Sequence, residues 1–291
     1  MRTRKIEAAA ALFAALSLVS TVAVATTCPV NPAQPSGKQQ WCGCPTSAVG
    51  QSAANAIDLS HRVTTSVLKS AKESGIKTVF RYYDWDYKPG AYVQLDQKWE
   101  LMPGSCKRGE PCEKTVDAEE IAAIHNAGLS VGIVFQHRMS ETATWRDTRR
   151  ADYDADRALS LAADLKQPKR TTIYFGVDGA DQHFHEEGDK TFGRARIVDY
   201  FRTIKRKIEA AGYDVGVYGS GLACEMTVDS PEKLARYCWL SISTGHTNSQ
   251  NREAKGDWAV KQCATRNRYQ GTTSDVDPDI ARDEFGQWRP K

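Results

Sequence analysis

The sequence predicts an irregular (β/α)8 barrel of the TIM type with a disulfide-pinned N-terminal arm. Three observations predict it. From Ala56 onward, short apolar runs alternate with amphipathic segments, many of which end at a glycine, the pattern of parallel α/β architecture. Eight such runs follow in order, the number that closes a barrel in place of an open doubly wound sheet. Several runs end in a carboxylate or an amide, where parallel barrels present the groups that meet a ligand.

Barrels of this kind occupy about 250 residues, so the 291-residue chain accommodates one of them over 55–291, preceded by two shorter segments. Met1-Arg2-Thr3-Arg4-Lys5 is a basic head, Ala8 to Val24 is apolar, and Ala23-Val24-Ala25 is a small-x-small site; together they read as a secretory signal peptide over 1–25. Ser17, Ser20 and Thr21 interrupt the apolar run and make it marginal for spanning a bilayer. A secreted or periplasmic protein without stable membrane insertion is expected. Removal of the leader lowers the formal charge from +3 to about +1, which gives no electrostatic grip on nucleic acid. All 8 cysteines lie beyond the leader, and an even number in an exported chain favours disulfides. Cys42-Gly43-Cys44 is too tight for a zinc knuckle, and Cys106 with Cys112 brackets a loop that a disulfide would staple. The other pairings stay open. Residues 26–54, rich in Pro, Gly, Ser, Gln and Cys, read as an irregular arm.

The elements follow in order. Ala56-Ile57-Asp58 is the first strand, and a helix over about Thr65 to Glu73 ends at Gly75. Thr78 to Tyr83 is the second strand, followed by a long loop, Asp84 to Lys114, with Trp85, Tyr87, Tyr92 and Trp99. These aromatics suit either sugar stacking or a small core of the loop's own. Acidic residues of Thr115 to Glu120 open the second helix, Ala127-Gly128 closes it, and Ser130 to Gln136 is the third strand. A helix over Asp154 to Leu165 stops before Pro168. The fourth strand, Thr172-Ile173-Tyr174-Phe175-Gly176-Val177-Asp178, is fully apolar until it ends in an acid. Ile197, Phe201, Ile204, Ile208 and Ala211 recur every three or four residues and predict a helix over about Phe192 to Ala211. Asp214 to Gly219, Cys238 to Ile242 and Trp258 to Gln262 are further strands. Gly219-Ser220-Gly221 reads as a turn and Pro231 to Tyr237 as a short helix. Ser274 to Ile280 supplies the eighth strand with Asp277 at its turn.

In this register Asp58, Asp178 and Asp277 share one mouth, Asp181 lies three residues beyond Asp178, and Gln136, Tyr218 and Gln262 come from other strands. Asp178 alone suits a loop cap as well as a site. A ring of acids suits glycoside hydrolysis, in which one carboxyl protonates the leaving oxygen and another stabilises or attacks the anomeric centre. Crowding would keep one acid protonated. No Gly-x-Gly-x-x-Gly or Walker loop follows a strand, so no nucleotide cofactor is expected. No metal is expected either: no strand end carries a well-spaced His, and His183-Phe184-His185-Glu186 reads as a solvated loop. There is no Gly-x-Ser-x-Gly elbow, and paired cysteines leave no thiol nucleophile.

The ordered series Ile57-Asp58, Phe80-Arg81-Tyr82, Glu120 through Ala127-Gly128-Leu129, Ile173 to Asp178, Val215 to Gly219, Trp239, Trp258 with Gln262, and Val276-Asp277 resembles the bacterial glycoside hydrolase-like domain of unknown function. That family is similar to the family 25 lysozymes. The resemblance spans about Ala56 to Ala281. It implies an irregular barrel, a glycan substrate such as peptidoglycan, and acids at Asp58, Asp178 and Asp277, with Tyr82 and Trp239 joining Gln136, Tyr218 and Gln262 as substrate-binding positions. Family 25 lysozymes carry Asp-x-Glu after the fourth strand, the Glu being the principal acid. Here the triplet is Asp178-Gly179-Ala180. Either Asp181 or a loop acid such as Glu186 takes that role, or the barrel binds glycan without cleaving it.

Overall fold

A computed structural model describes residues 54–84, 92–95, 98–101, 114–137, 139, 145–178, 190–242, 246–263 and 276–291. The expected leader, nearly all of the N-terminal arm, the Cys106 and Cys112 staple, Asp181 and Glu186 lie outside them. Eight strands close one barrel: β1 (Ala56–Asp58), β2 (Thr78–Tyr83), β5 (Ser130–Phe135), β6 (Thr172–Gly176), β7 (Asp214–Gly219), β8 (Tyr237–Ser241), β9 (Val260–Gln262) and β10 (Asp277–Ala281). The remaining two, β3 (Tyr92–Leu95) and β4 (Lys98–Leu101), form an antiparallel hairpin in the stretch read from sequence as a long loop.

Neighbouring strands pair parallel from β1 through β9, whereas β10 pairs antiparallel with both β9 and β1. This departs from an all-parallel barrel. It also explains the position of Asp277. Running against its neighbours, β10 begins at the mouth where they end, and its first residue stands in register with Asp58.

The helices follow local signals. α1 (Thr65–Glu73) begins where the Thr64 side chain accepts from the Val67 N–H, and α2 (Ala118–Asn126) where Asp117 accepts from Glu120 N–H. α3 (Arg150–Asp164) starts earlier than its apolar stripe indicates, because Arg150 is itself buried against Asp154. In α4 (Lys190–Ala210), Ile197, Phe201, Ile204 and Ile208 are fully buried as their spacing predicts. Each such side chain contributes about 1.5–3 kcal/mol. α5 (Gly221–Thr227) and α6 (Ser249–Lys255) correct the reading of the later connections. Ser220, assigned to a turn, is the N-cap of α5, its side chain accepting from Ala223 N–H. Pro231 to Tyr237 is not helical. The Cys224–Cys238 disulfide fastens α5 to β8, and Cys263 is disulfide-bonded too.

Strand alternation divides the core into two layers. Outward residues such as Val79, Tyr83, Ile133 and Phe175 pack under the helices, while Phe80, Tyr174, Trp239 and Phe285 fill the barrel. The filling requires glycines. A Cβ on Gly132 would come within 2.2 Å of the Phe80 ring, and one on Gly216 within 2.3 Å of the Tyr174 ring. The segment after β10 closes the end opposite the mouth: Tyr174 Oη donates to the Phe285 carbonyl at 2.8 Å, and Trp288 bridges Val131. No helix among the described residues is long and apolar enough to cross a membrane.

Candidate active site

Inward parity continued to the strand ends decides which side chains reach the mouth. It selects Asp58 on β1, Tyr82 on β2, Gln136 after β5, Asp178 after β6, Tyr218 on β7, Gln262 on β9, and Asp277 with Asp279 on β10. Of the residues expected from sequence, Asp58, Asp178, Asp277, Gln136, Gln262, Tyr82 and Tyr218 therefore converge, whereas Asp181 lies outside the described residues. Gln136, Asp178, Tyr218, Gln262 and Asp277 are half-buried, whereas Asp58, Tyr82 and Asp279 are buried.

Asp58 is held from two sides. Tyr82 Oη donates to its Oδ1 at 2.8 Å and Gln262 Nε2 to its Oδ2 at 2.8 Å. Tyr218 Oη donates to Gln262 Oε1 at 2.7 Å, which fixes the amide with its N–H groups toward Asp58. Burial and the nearby Asp277 charge raise the Asp58 carboxyl to about 7, against the lowering effect of its hydrogen bonds. Behind it, Asp279 Oδ1 accepts from the Trp239 indole N–H at 2.9 Å. Burial and the charge of Asp58 push the Asp279 carboxyl well above the usual range.

Asp178 lies close enough to the same phenols that Tyr82 and Tyr218 both feel the charges of Asp58 and Asp178. Its φ of 50° lies in the left-handed region, which Asp tolerates better than most residues and which recurs where a site fixes its backbone. Gln136 Nε2 donates to its Oδ1 at 2.6 Å. Burial raises its proton affinity, while Gln136, Lys114 and His246 act in the opposite direction. At the rim, Asp84 accepts from Lys114 Nζ at 3.1 Å and lies 2.5 Å from His137 Nδ1. Burial alone would raise the Asp84 carboxyl, but the His137 hydrogen bond and the Lys114 charge hold it below its ordinary value. Lys114 also donates to the Gln136 carbonyl at 2.7 Å and lies 5.3 Å from the Tyr82 ring centroid.

One expected contact residue is placed differently. Trp239 is 1% exposed beneath the mouth, packed on Phe80 at 4.3 Å and Tyr218 at 4.9 Å between ring centroids. It supports the floor of the site and does not face a ligand. Asp279, Asp84, Lys114 and His137 were not anticipated. Asp279 was signalled by Asp277-Pro278-Asp279, where a spacing of two puts both acids on one strand face. No group of three or more His, Cys, Asp or Glu suited to a metal ion occurs among the described residues.

A closed barrel with carboxylates and amides gathered at one mouth is consistent with a glycoside hydrolase-like domain. Residues 101–281 match the family described as Rv2525c-like, glycoside hydrolase-like domain, and the chain belongs to that family. The uncharacterized protein YbfG of Bacillus subtilis (strain 168) is 28% identical over 244 residues, covering 80% of this chain and 28% of that protein. The chain thus spans under a third of this curated relative. The Tat-secreted protein Rv2525c of Mycobacterium tuberculosis, solved with HEPES, matches with a TM-score of 0.56 at 21% identity, over 81% of this chain and 100% of that one. An uncharacterized B. stearothermophilus protein matches with a TM-score of 0.51 at 15% identity, over 78% and 95% of the two chains. At these identities the likeness is one of fold.

Proposed function

We propose that the chain is a secreted glycoside hydrolase that acts on cell-wall glycan, peptidoglycan, by carboxylate acid/base catalysis. The observation that carries this reading is Asp178: half-open to the mouth, tethered through one oxygen by Gln136, and raised in proton affinity by burial. Such a group delivers a proton to a glycosidic oxygen as the bond to the anomeric carbon breaks. Asp277 and Asp58, on the β1–β10 side, supply negative charge for the oxocarbenium-like centre, and a carboxylate there accepts the proton that the incoming water loses. Asp181 is the second acid proposed for proton donation. Gln136, Tyr218 and Gln262 offer amide and hydroxyl groups to sugar hydroxyls. The leader-like residues 1–25, and a structural neighbour described as Tat-secreted, support export.

The replacement of the second acid by Ala180 favours one other reading, a wall-associated module that binds glycan without cleaving it. Release of reducing ends from peptidoglycan by the mature protein and by Asp178→Asn separates the two. Hydrolysis by the wild type alone supports the enzyme with Asp178 as its acid, and equal release by both proteins removes Asp178 from that role. Cosedimentation with peptidoglycan without any release supports the binding module.

A further inference from the structure

The deepest polar group of the site is Asp279, and its surroundings have an unusual donor count. It is completely buried, and one oxygen, Oδ1, receives the Trp239 indole N–H. The other, Oδ2, is buried with no donor among the described residues. The side chain it meets is the Asp58 carboxyl, whose two oxygens already accept from Tyr82 and Gln262. A buried carboxylate oxygen facing another carboxylate carries both the desolvation cost and like-charge repulsion. A single proton removes both. The donor count also says where that proton sits: Asp58 has two donors and Asp279 one, so the anion belongs on Asp58 and the hydrogen on Asp279 Oδ2.

We infer that Asp279 is held as a neutral carboxylic acid whose Oδ2 hydrogen is donated to Asp58, so that Asp279 acts as a positioning residue for the Asp58 carboxylate. The arrangement is one in which an acid stays neutral because its site suits a hydrogen-bond donor and not an anion. Asp58 then has three donors, from β2, β9 and β10, and the Asp58–Asp279 pair carries one charge in place of two. The raised proton affinity of both groups agrees with this assignment. The other titratable groups that bear on the pair are Asp277 from the same strand, Tyr82 from β2 and Tyr218 from β7. What Asp58 contributes to catalysis rests on the proposed hydrolase reading. The protonation state does not.

Carboxyl carbon NMR of aspartate-labelled mature protein, titrated without substrate, tests the inference. One buried carboxyl is expected to keep the chemical shift of a neutral acid through and above neutral pH, and that signal is expected to be absent in Asp279→Asn. The asparagine can accept from Trp239 through Oδ1 and donate to Asp58 through Nδ2, so the Asp58 midpoint should stay near the wild-type one. In Asp279→Leu the donor is lost, and the Asp58 midpoint should rise by about one pH unit, a tenfold change in proton affinity. Ionisation of Asp279 in the ordinary carboxylate range, or an Asp58 shift in Asp279→Asn as large as that in Asp279→Leu, overturns the inference. If the leucine variant fails to fold, the wild-type and asparagine titrations decide alone. Failure of reducing-end release with the titration as expected counts against the hydrolase reading and leaves the proton assignment standing.

Discussion

Gln136 and Asp178 join the ends of two adjacent barrel strands through a hydrogen bond of 2.6 Å, the amide donating to the carboxylate. The bond favours the anion, against burial that favours the neutral acid. Gln136→Leu is therefore expected to raise the Asp178 midpoint by about 1 to 2 pH units, the worth of a hydrogen bond to a charged group. Carboxyl carbon NMR reads the shift directly, and an unchanged or lowered midpoint would contradict it.

Arg81 and Glu120 form an ion pair with side chains 0% and 1% exposed, Arg81 Nε lying 2.7 Å from Glu120 Oε1. Arg81 also donates to the Leu59 carbonyl, and Glu120 accepts from Val63 N–H at 2.7 Å, so the pair clamps the loop that leaves Asp58. Arg81→Met leaves a buried anion and is expected to cost about 3–5 kcal/mol in urea unfolding. Arg81→Met combined with Glu120→Leu should cost less than the first change alone, and a double-mutant cycle measures the difference.

The Asp58 carboxyl moves from an ordinary 3.8 to about 7 in the folded chain. Between those values the native state holds a proton that the unfolded state has released, so stability falls as pH rises through this window. The loss attributable to Asp58 is on the order of 4 kcal/mol. The lowered Asp84 carboxyl acts with opposite sign, but its window lies below that of Asp58. Unfolding free energies at about pH 5 and about pH 8 should therefore decrease for the wild type and change less for Asp58→Asn. Equal slopes in the two proteins would refute the assignment.

The Cys224–Cys238 disulfide closes a separation of 14 residues. Replacing both cysteines by alanine is expected to destabilise the fold by about 3 kcal/mol. Chemical denaturation checks this, while the Asp58 titration should be unchanged because the bond lies on the outer layer.

Period-two alternation made much of the mouth legible, since it fixes which residue at each strand end points inward. Asp58, Gln136, Asp178, Tyr218, Gln262 and Asp277 were accessible to it. The direction of β10 was not, because an alternating strand reads the same for parallel and antiparallel pairing. α6 was missed because Ser249-Gln250-Asn251-Arg252 has no apolar stripe and is anchored by buried Ser249 and Arg252 instead. Trp239 was misplaced for a related reason: an indole on an inward position can line a cavity or fill it, and only the depth along the strand decides which. The Asp84, His137 and Lys114 cluster depends on the start and the end of one long loop meeting the start of another, which local sequence does not encode.

The antiparallel last strand has a consequence for how the protein is made. Asp58 and Gln262 are separated by 204 positions, and the partners of Asp58 on β10 come later still. The ends of the domain must find each other before that carboxylate acquires its surroundings, and such distant closure is slow compared with forming the helices in between. Growing or half-assembled chains consequently hold Asp58 as an ordinary exposed acid. Its abnormal titration is a marker of completed assembly, and refolding followed at this one carboxyl would time the closing of the ring.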